Sequence, residues 1–261
     1  MLKKVFLQTQ FGSPHPWTEQ YFENVRRLAP LGWYLKVFTP NPWPSSDNIE
    51  IIDMTVEEYD RLMGRQCGVV AGNYLKGGVP AKLVSDHYPA YGQIFQEYIR
   101  DFDFWAFTNW DVVYGRLDHF IPDEILDTCD IWADEVNGIN GIFTLMRNND
   151  ETNNLFREVP DWQRSFSVHQ PCAFDEFQMT RAVRILAAEG RTRFKYPPYF
   201  PFHSYDRLIQ HQPKPNLYFE SDGALIERYE DCVNFPNEKG HYGREIMMFH
   251  FSLTKRWPIA A

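Results

Sequence analysis

Asn109 and Asp111 directly follow the apolar run Phe104-Trp105-Ala106-Phe107-Thr108, and of all the side chains they are the best placed for chemistry. Their i, i+2 spacing puts both on one face if the chain stays extended. An amide oxygen and a carboxylate can then point together into a cleft. That pair suits a hard divalent ion, Mn²⁺ or Mg²⁺, which keeps open positions that diphosphate oxygens can fill. The same spacing also fits a turn in which Asp111 caps the chain and Asn109 bonds the backbone.

The elements that must position this pair follow from the hydrophobic pattern. Lys4 to Leu7, Trp33 to Phe38 and Ile49 to Ile52 read as strands, and Phe104 to Thr108 as a buried one. Trp17, Tyr21, Val25 and Leu28 share a face of a helix over Trp17 to Ala29, with Gly32 as its stop. Thr55-Val56-Glu57-Glu58 has the capping-box pattern for a helix carrying Val56, Tyr59, Leu62 and Met63. Ser85 to Ile99 reads as helical after its proline. The alternation predicts a mostly parallel sheet flanked by helices, with ligands beyond the carboxyl ends of the strands. The loops Gln8 to Pro16, Thr39 to Pro44 and Asn109 to Gly115 would line that edge.

The second half is more mixed. Ile142 to Met146 reads as a strand, and Asp175 to Ala188 as a helix with Asp175 as N-cap and Gly190 as stop. Leu217 to Phe219 and Ala224 to Ile226 flank a hairpin turn at Ser221-Asp222-Gly223, and Glu245 to Phe251 reads as a last strand.

Composition narrows the function classes. The 261 residues carry 26 Lys plus Arg against 35 Asp plus Glu, a formal charge of −9 that does not suit non-specific binding to a polyanion. One local exception runs from Arg181 to Lys195, where five cations face the single anion Glu189. It reads either as a solvated helix face or as a receptor for an acidic acceptor. Aromatics reach 16%, which fits an aromatic core or a cleft that stacks flat rings. No apolar run approaches the ~20 residues of a membrane helix, and the start turns polar at Gln8, too soon for a signal peptide. Cys67, Cys129, Cys172 and Cys232 form no CxxC pair, which predicts reduced thiols and a cytoplasmic location and argues against a structural zinc site.

Seven ordered blocks carry a resemblance. They are Phe11-Gly12-Ser13-Pro14-His15-Pro16-Trp17, Val37-Phe38-Thr39-Pro40-Asn41, Asp86-His87-Tyr88-Pro89-Ala90-Tyr91-Gly92-Gln93-Ile94-Phe95, the segment from Asp103-Phe104-Trp105 through Gly115, Gly141-Ile142-Phe143-Thr144-Leu145-Met146-Arg147-Asn148, Ala173-Phe174-Asp175-Glu176 and Met248-Phe249-His250-Phe251. In order and spacing the chain resembles a family of GT-A type nucleotide-sugar glycosyltransferases of bacteria and their phages.

The resemblance implies one GT-A-like, Rossmann-type domain over 1–261. A nucleotide-sugar-binding half would span 1–115, and an acceptor-binding half with a late metal-ligand strand would span 116–261. The family's paired acids hold metal and sugar nucleotide; here they correspond to Asn109 and Asp111, so one negative charge is lost. His250 would be the late metal-ligating histidine, with Asp111 and Asn109 completing the protein's share of a Mn²⁺ or Mg²⁺ shell. Phe11, Gly12, Thr39, Asn41, Asp86, Tyr91, Gly92, Asn109, Trp110, Asp111, Lys255 and Arg256 would contact the sugar nucleotide, the last two at the departing diphosphate. Asp175 or Glu176 would be the general base for the acceptor hydroxyl.

The implied function is metal-dependent sugar transfer from a nucleoside-diphosphate sugar to a hydroxyl of a surface polysaccharide or lipopolysaccharide. Two alternatives share the fold: a DNA glycosyltransferase acting on a hydroxymethylated base, and a non-catalytic sugar-nucleotide-binding protein, to which Asn109 points. A metal-dependent phosphohydrolase would call for more clustered carboxylates and histidines than the sequence holds.

Overall fold

The structure is a computed structural model and describes residues 1–69, 84–133, 138–167, 172–196, 203–205, 216–228, 243–251 and 258–259. The chain begins with β1 (Lys4–Thr9), α1 (Thr18–Arg26), β2 (Trp33–Thr39), β3 (Ile49–Asp53) and α2 (Val56–Cys67). It continues through β4 (Phe104–Thr108), β5 (Val112–Tyr114), β6 (Ile131–Ala133), β7 (Phe143–Arg147), α3 (Met179–Ala188) and β8 (Phe194–Lys195). The last described strands are β9 (His203–Tyr205), β10 (Asn216–Phe219), β11 (Leu225–Arg228), β12 (Gly243–Ile246) and β13 (Met248–His250).

Seven strands form the central sheet in the order β3-β2-β1-β4-β7-β6-β8. The pairs β3/β2, β2/β1 and β1/β4 are parallel, whereas β7 runs antiparallel to both β4 and β6. The expected mostly parallel α/β sheet is therefore present. Strand order turns back at β1, with β2 on one side and β4 on the other. The crevice between the loops leaving β1 and β4 is thus the switch point at which such sheets take ligands.

Both sheet faces are buried. Val5, Leu7, Trp105 and Phe107 belong to one core cluster, and Phe6, Phe104 and Ala106 to the other. This is why β4 reads as a continuous apolar run and not as an alternating one. The aromatic excess goes largely into these layers: Phe38 stacks on Phe95 at 3.7 Å, and Phe6 lies 4.7 Å from Trp33.

Most early elements stand where the pattern puts them. Thr55 caps α2 with a full capping box, its side chain taking the Glu58 N–H while the Glu58 carboxylate takes that of Thr55. Helix α1 is shorter than expected; a 3₁₀ turn over Ala29–Leu31 follows it and ends at Gly32, whose φ of 77° a side chain would resist.

Three expectations fail. Ser85 to Ile99 is not one helix: it breaks into a 3₁₀ turn (Tyr88–Ala90), a single α turn (Tyr91–Ile94) and another 3₁₀ turn (Gln96–Tyr98). Pro89 confines the first turn, and beyond it the ladder breaks at Phe95, whose φ of −101° and ψ of 17° depart from helical values. Asp175 is not an N-cap: it lies inside a π-helical turn (Phe174–Gln178) that precedes α3, and no side chain caps that turn. The late strand is two strands, β12 and β13, parted at Met247 because they join different sheets. β12 pairs with β11, while β13 pairs with β9 and with β5, a short strand the apolar pattern did not reveal.

Candidate functional site

Asn109, Trp110 and Asp111 carry the chain from the central sheet at β4 into the small sheet at β5. Trp110 turns to the core: its ring is packed near Tyr21, Phe22 and Trp43, and its indole N–H donates to Thr9 O. Trp17 Nε1 donates to the Trp110 carbonyl at 2.8 Å, pinning the hop between sheets. Asn109 and Asp111 flank this anchored residue, and the backbone bends at Trp110 and Asp111 where the sequence pattern expected an extended stretch.

The register of β13 against β5 brings up the second group. His250 pairs with Val112, and one step further the Phe251 N–H donates to Asp111 O at 3.0 Å. The imidazole Nε2 consequently stands 3.2 Å from Asp111 Oδ1, with both residues buried.

A second wall comes from the other half of the chain. A β-carbon at Gly141 would lie 2.8 Å from Asp175 Oδ2, 3.5 Å from Asn109 Oδ1 and 3.5 Å from a ring carbon of Tyr88. Three side chains thus converge on the bare α-carbon of Gly141. Asn140 shapes this loop by accepting the Ile142 and Phe143 N–H groups on Oδ1. Its Nδ2 is buried and has no hydrogen-bond partner among the described residues.

Burial dominates the electrostatics here. It pushes the Asp175 carboxyl well above the usual carboxylate range, and the charges of Glu176 and Asp86 push it further. The Tyr88 phenol is raised mainly by burial, then by Asp175 and Asp111. Tyr88 therefore senses both carboxylates.

The remaining expected residues fall into three groups. Phe11, Gly12, Thr39 and Asn41 do lie on the strand-end loops. Thr39 Oγ1 donates to Gln10 O and Asn41 Nδ2 to Gly12 O, so these two tie the first loop to the second. Phe11 is half-buried and its ring lies 5.4 Å from that of Tyr59.

Tyr91, Gly92 and Asp86 stand behind the edge and support it. Tyr91 is fully buried and its hydroxyl bonds Thr9 Oγ1 at 2.8 Å. A β-carbon at Gly92 would meet Asn153 Oδ1 at 2.4 Å and the Trp105 indole at 2.5 Å, so its glycine serves packing. Both carboxylate oxygens of Asp86 accept backbone N–H groups, from Cys172 and Phe174. Glu176 is exposed, and Lys255 and Arg256 lie outside the described residues.

Three of the five cations in the run have acidic or hydroxyl partners. Arg191 pairs with Glu158 and Glu189, Arg193 pairs with Asp130, and Lys195 Nζ donates to Thr128 Oγ1. Arg181 and Arg184 lie on the exposed side of α3.

Sequence reasoning did not assign Gly141, Tyr88 or Asn140 to the site. A glycine beside an Asn carries no chemical signature, and the three meet only when β4, β7 and the π turn are assembled.

No helix among the described residues is long and apolar enough to cross a membrane. No group of three or more His, Cys, Asp and Glu among them is arranged to hold a metal ion. Of Asp111, His250 and Asn109, the residues expected to hold an ion, the first two are in direct contact at 3.2 Å. Cis ligands about 2.1 Å from an octahedral ion lie about 3 Å apart, and the 3.2 Å separation fits that arrangement.

No curated protein matches the sequence. Among solved structures, a galactosyltransferase, LgtC, in complex with donor and acceptor sugar analogues, is similar at a TM-score of 0.45 and 10% identity, covering 95% of this chain and 87% of that one. A family described as "Family of unknown function (DUF6625)" matches residues 9–256, nearly the whole length, and the chain belongs to that family.

Proposed function

We propose that the protein is a metal-assisted glycosyltransferase that moves a sugar from a nucleoside-diphosphate sugar to a hydroxyl of a saccharide acceptor. The carrying observation is the Asp111–His250 pair, 3.2 Å apart at the sheet's switch point. A carboxylate and an imidazole would hold Mn²⁺, or less readily Mg²⁺, and leave positions for two phosphate oxygens. When bound there, the ion supplies positive charge against the negative charge that develops on the leaving diphosphate.

In this reading the loops carrying Phe11, Gly12, Thr39 and Asn41 receive the nucleoside, and 1–115 forms the donor half. Residues 116–261 form the acceptor half and contribute Asp175 and His250. Asn109 Oδ1 faces Gly141 and serves as a neutral hydrogen-bond acceptor for the donor. Asp175 takes the acceptor proton: a carboxyl whose pKa is raised by burial is a stronger base than an exposed one. The acceptor oxygen bonds to the anomeric carbon, the bond to phosphate breaks, and nucleoside diphosphate leaves. A saccharide acceptor is favoured over DNA because most of the Arg181 to Lys195 cations already have acidic or hydroxyl partners.

A thermal-shift panel of nucleoside diphosphates and their sugars, with and without Mn²⁺, tests the reading. Stabilisation that requires both nucleotide and ion is expected. Near-normal turnover in Asp111→Ala and His250→Ala with all divalent ions chelated would overturn it.

A further inference from the structure

We propose that Asp86 is a positioning residue, which clamps a strained turn and thereby aims Asp175 at Gly141. The proposal rests on the glycosyltransferase reading for its chemistry, but the clamp itself is geometric. Asp86 is 2% exposed. Its Oδ2 accepts the Cys172 N–H at 2.9 Å and its Oδ1 accepts the Phe174 N–H at 2.7 Å.

Between those two amides sits Ala173, with φ 52° and ψ 43°, a left-handed conformation that a residue with a β-carbon adopts at a cost. Such conformations persist only where surrounding contacts over-determine them. Two hydrogen bonds to one buried carboxylate are such contacts, because the turn and the clamp come from distant parts of the chain. The π turn begins at Phe174, the second clamped residue, and its next residue is Asp175. A π turn places side chains at a different angle from an α turn, and it is this turn that leaves Asp175 Oδ2 over the α-carbon of Gly141.

Tyr88, two residues after Asp86, packs against the same α-carbon, so one short segment supplies both the clamp and a wall of the site. Asparagine would not replace Asp86: it has one acceptor oxygen for two N–H groups and turns an NH₂ towards the other.

Two variants of the full chain reach the same carboxyl from opposite sides. Asp86→Asn loosens the turn. Gly141→Ala leaves the clamp intact but puts a β-carbon 2.8 Å from Asp175 Oδ2, where the flexible carboxyl must give way. Probes are UDP, GDP, dTDP and ADP with Mn²⁺ and their hexose conjugates. For the pair the wild type binds best, both variants are expected to lower kcat by about tenfold or more while nucleoside-diphosphate affinity stays within about twofold.

In Asp86→Asn alone, amide exchange over residues 172–178 rises and the Gly141 amide resonance moves, with exchange in β1, β2 and β4 unchanged. Unchanged exchange at 172–178 overturns the clamp. So does a joint loss of nucleoside-diphosphate affinity and kcat, which would mean that Asp86 touches the ligand. If the wild type transfers no sugar from any donor, the glycosyltransferase reading fails; exchange and the Gly141 resonance still decide whether Asp86 places Asp175.

Discussion

His250 Nε2 lies 3.2 Å from Asp111 Oδ1, and the antiparallel register of β13 on β5 enforces that approach. The two strands are short, but the Phe251 N–H to Asp111 carbonyl bond extends the pairing to the level of the carboxylate itself. A strand from the end of the chain thus completes a site that begins at the C-terminal end of β4.

Removing either member of this pair should abolish most of the transfer. Asp111→Ala and His250→Ala are each expected to lower kcat/KM by about 100-fold or more, which is about 2.7 kcal/mol of barrier. Calorimetric titration of Mn²⁺ in the presence of nucleoside diphosphate should show the same two variants losing ion affinity.

Asp175→Asn should slow turnover yet stabilise the fold. Burial raises the Asp175 carboxyl well above its ordinary value in the native state, so the native state binds the proton more tightly than the unfolded chain does. That contribution is fully present below the unfolded carboxyl's pKa and is lost as pH rises through the folded one. A neutral amide escapes the loss. Thermal denaturation of wild type and variant across neutral pH should show the variant gaining Tm as pH rises. Activity of the wild type should fall on the acid side as Asp175 takes up its proton, and the variant should lack that limb.

His87 predicts an acid sensitivity of the fold. Its imidazole is fully buried, beside Tyr59 and Phe166, and desolvation lowers its pKa from 6.5 to about 4. The unfolded chain therefore binds the proton first, and native stability falls as pH drops from about 6.5 towards 4. The full loss amounts to about 3 kcal/mol. Urea midpoints measured at pH 7 and pH 4.5 should differ markedly in the wild type, and by less in His87→Gln.

Gly92→Ala separates packing from binding. The new β-carbon would fall on Asn153 Oδ1 and the Trp105 indole, which already share a 2.7 Å hydrogen bond. Overpacking of this kind costs about 1–3 kcal/mol. The urea midpoint should fall accordingly, whereas nucleotide affinity of the folded fraction should not change. A selective loss of affinity without loss of stability would instead place Gly92 at the ligand.

The linear pattern of residues determined the first half well. Apolar runs of strand length set β1, β2, β3 and β4, and the Thr55–Glu58 box set the start of α2, because these depend on near neighbours. Alternation predicted Asn109 and Asp111 on one face of an extended chain, but the backbone bends at Trp110 and Asp111 as it passes between two sheets. What the linear pattern could not decide was which distant groups arrive at that face. β5 and β13 are each three residues long and hold only as partners of each other and of β9, so their register exists only in the assembled sheet. Asp175 reads as a helix cap by its position, yet Asp86 holds the preceding turn in a shape that puts the carboxyl beside Gly141. Local propensity acts over a few residues, whereas burying Asp111 against His250 and Asp175 beside Gly141 requires packing between segments far apart in the chain, and only the tertiary fold supplies it.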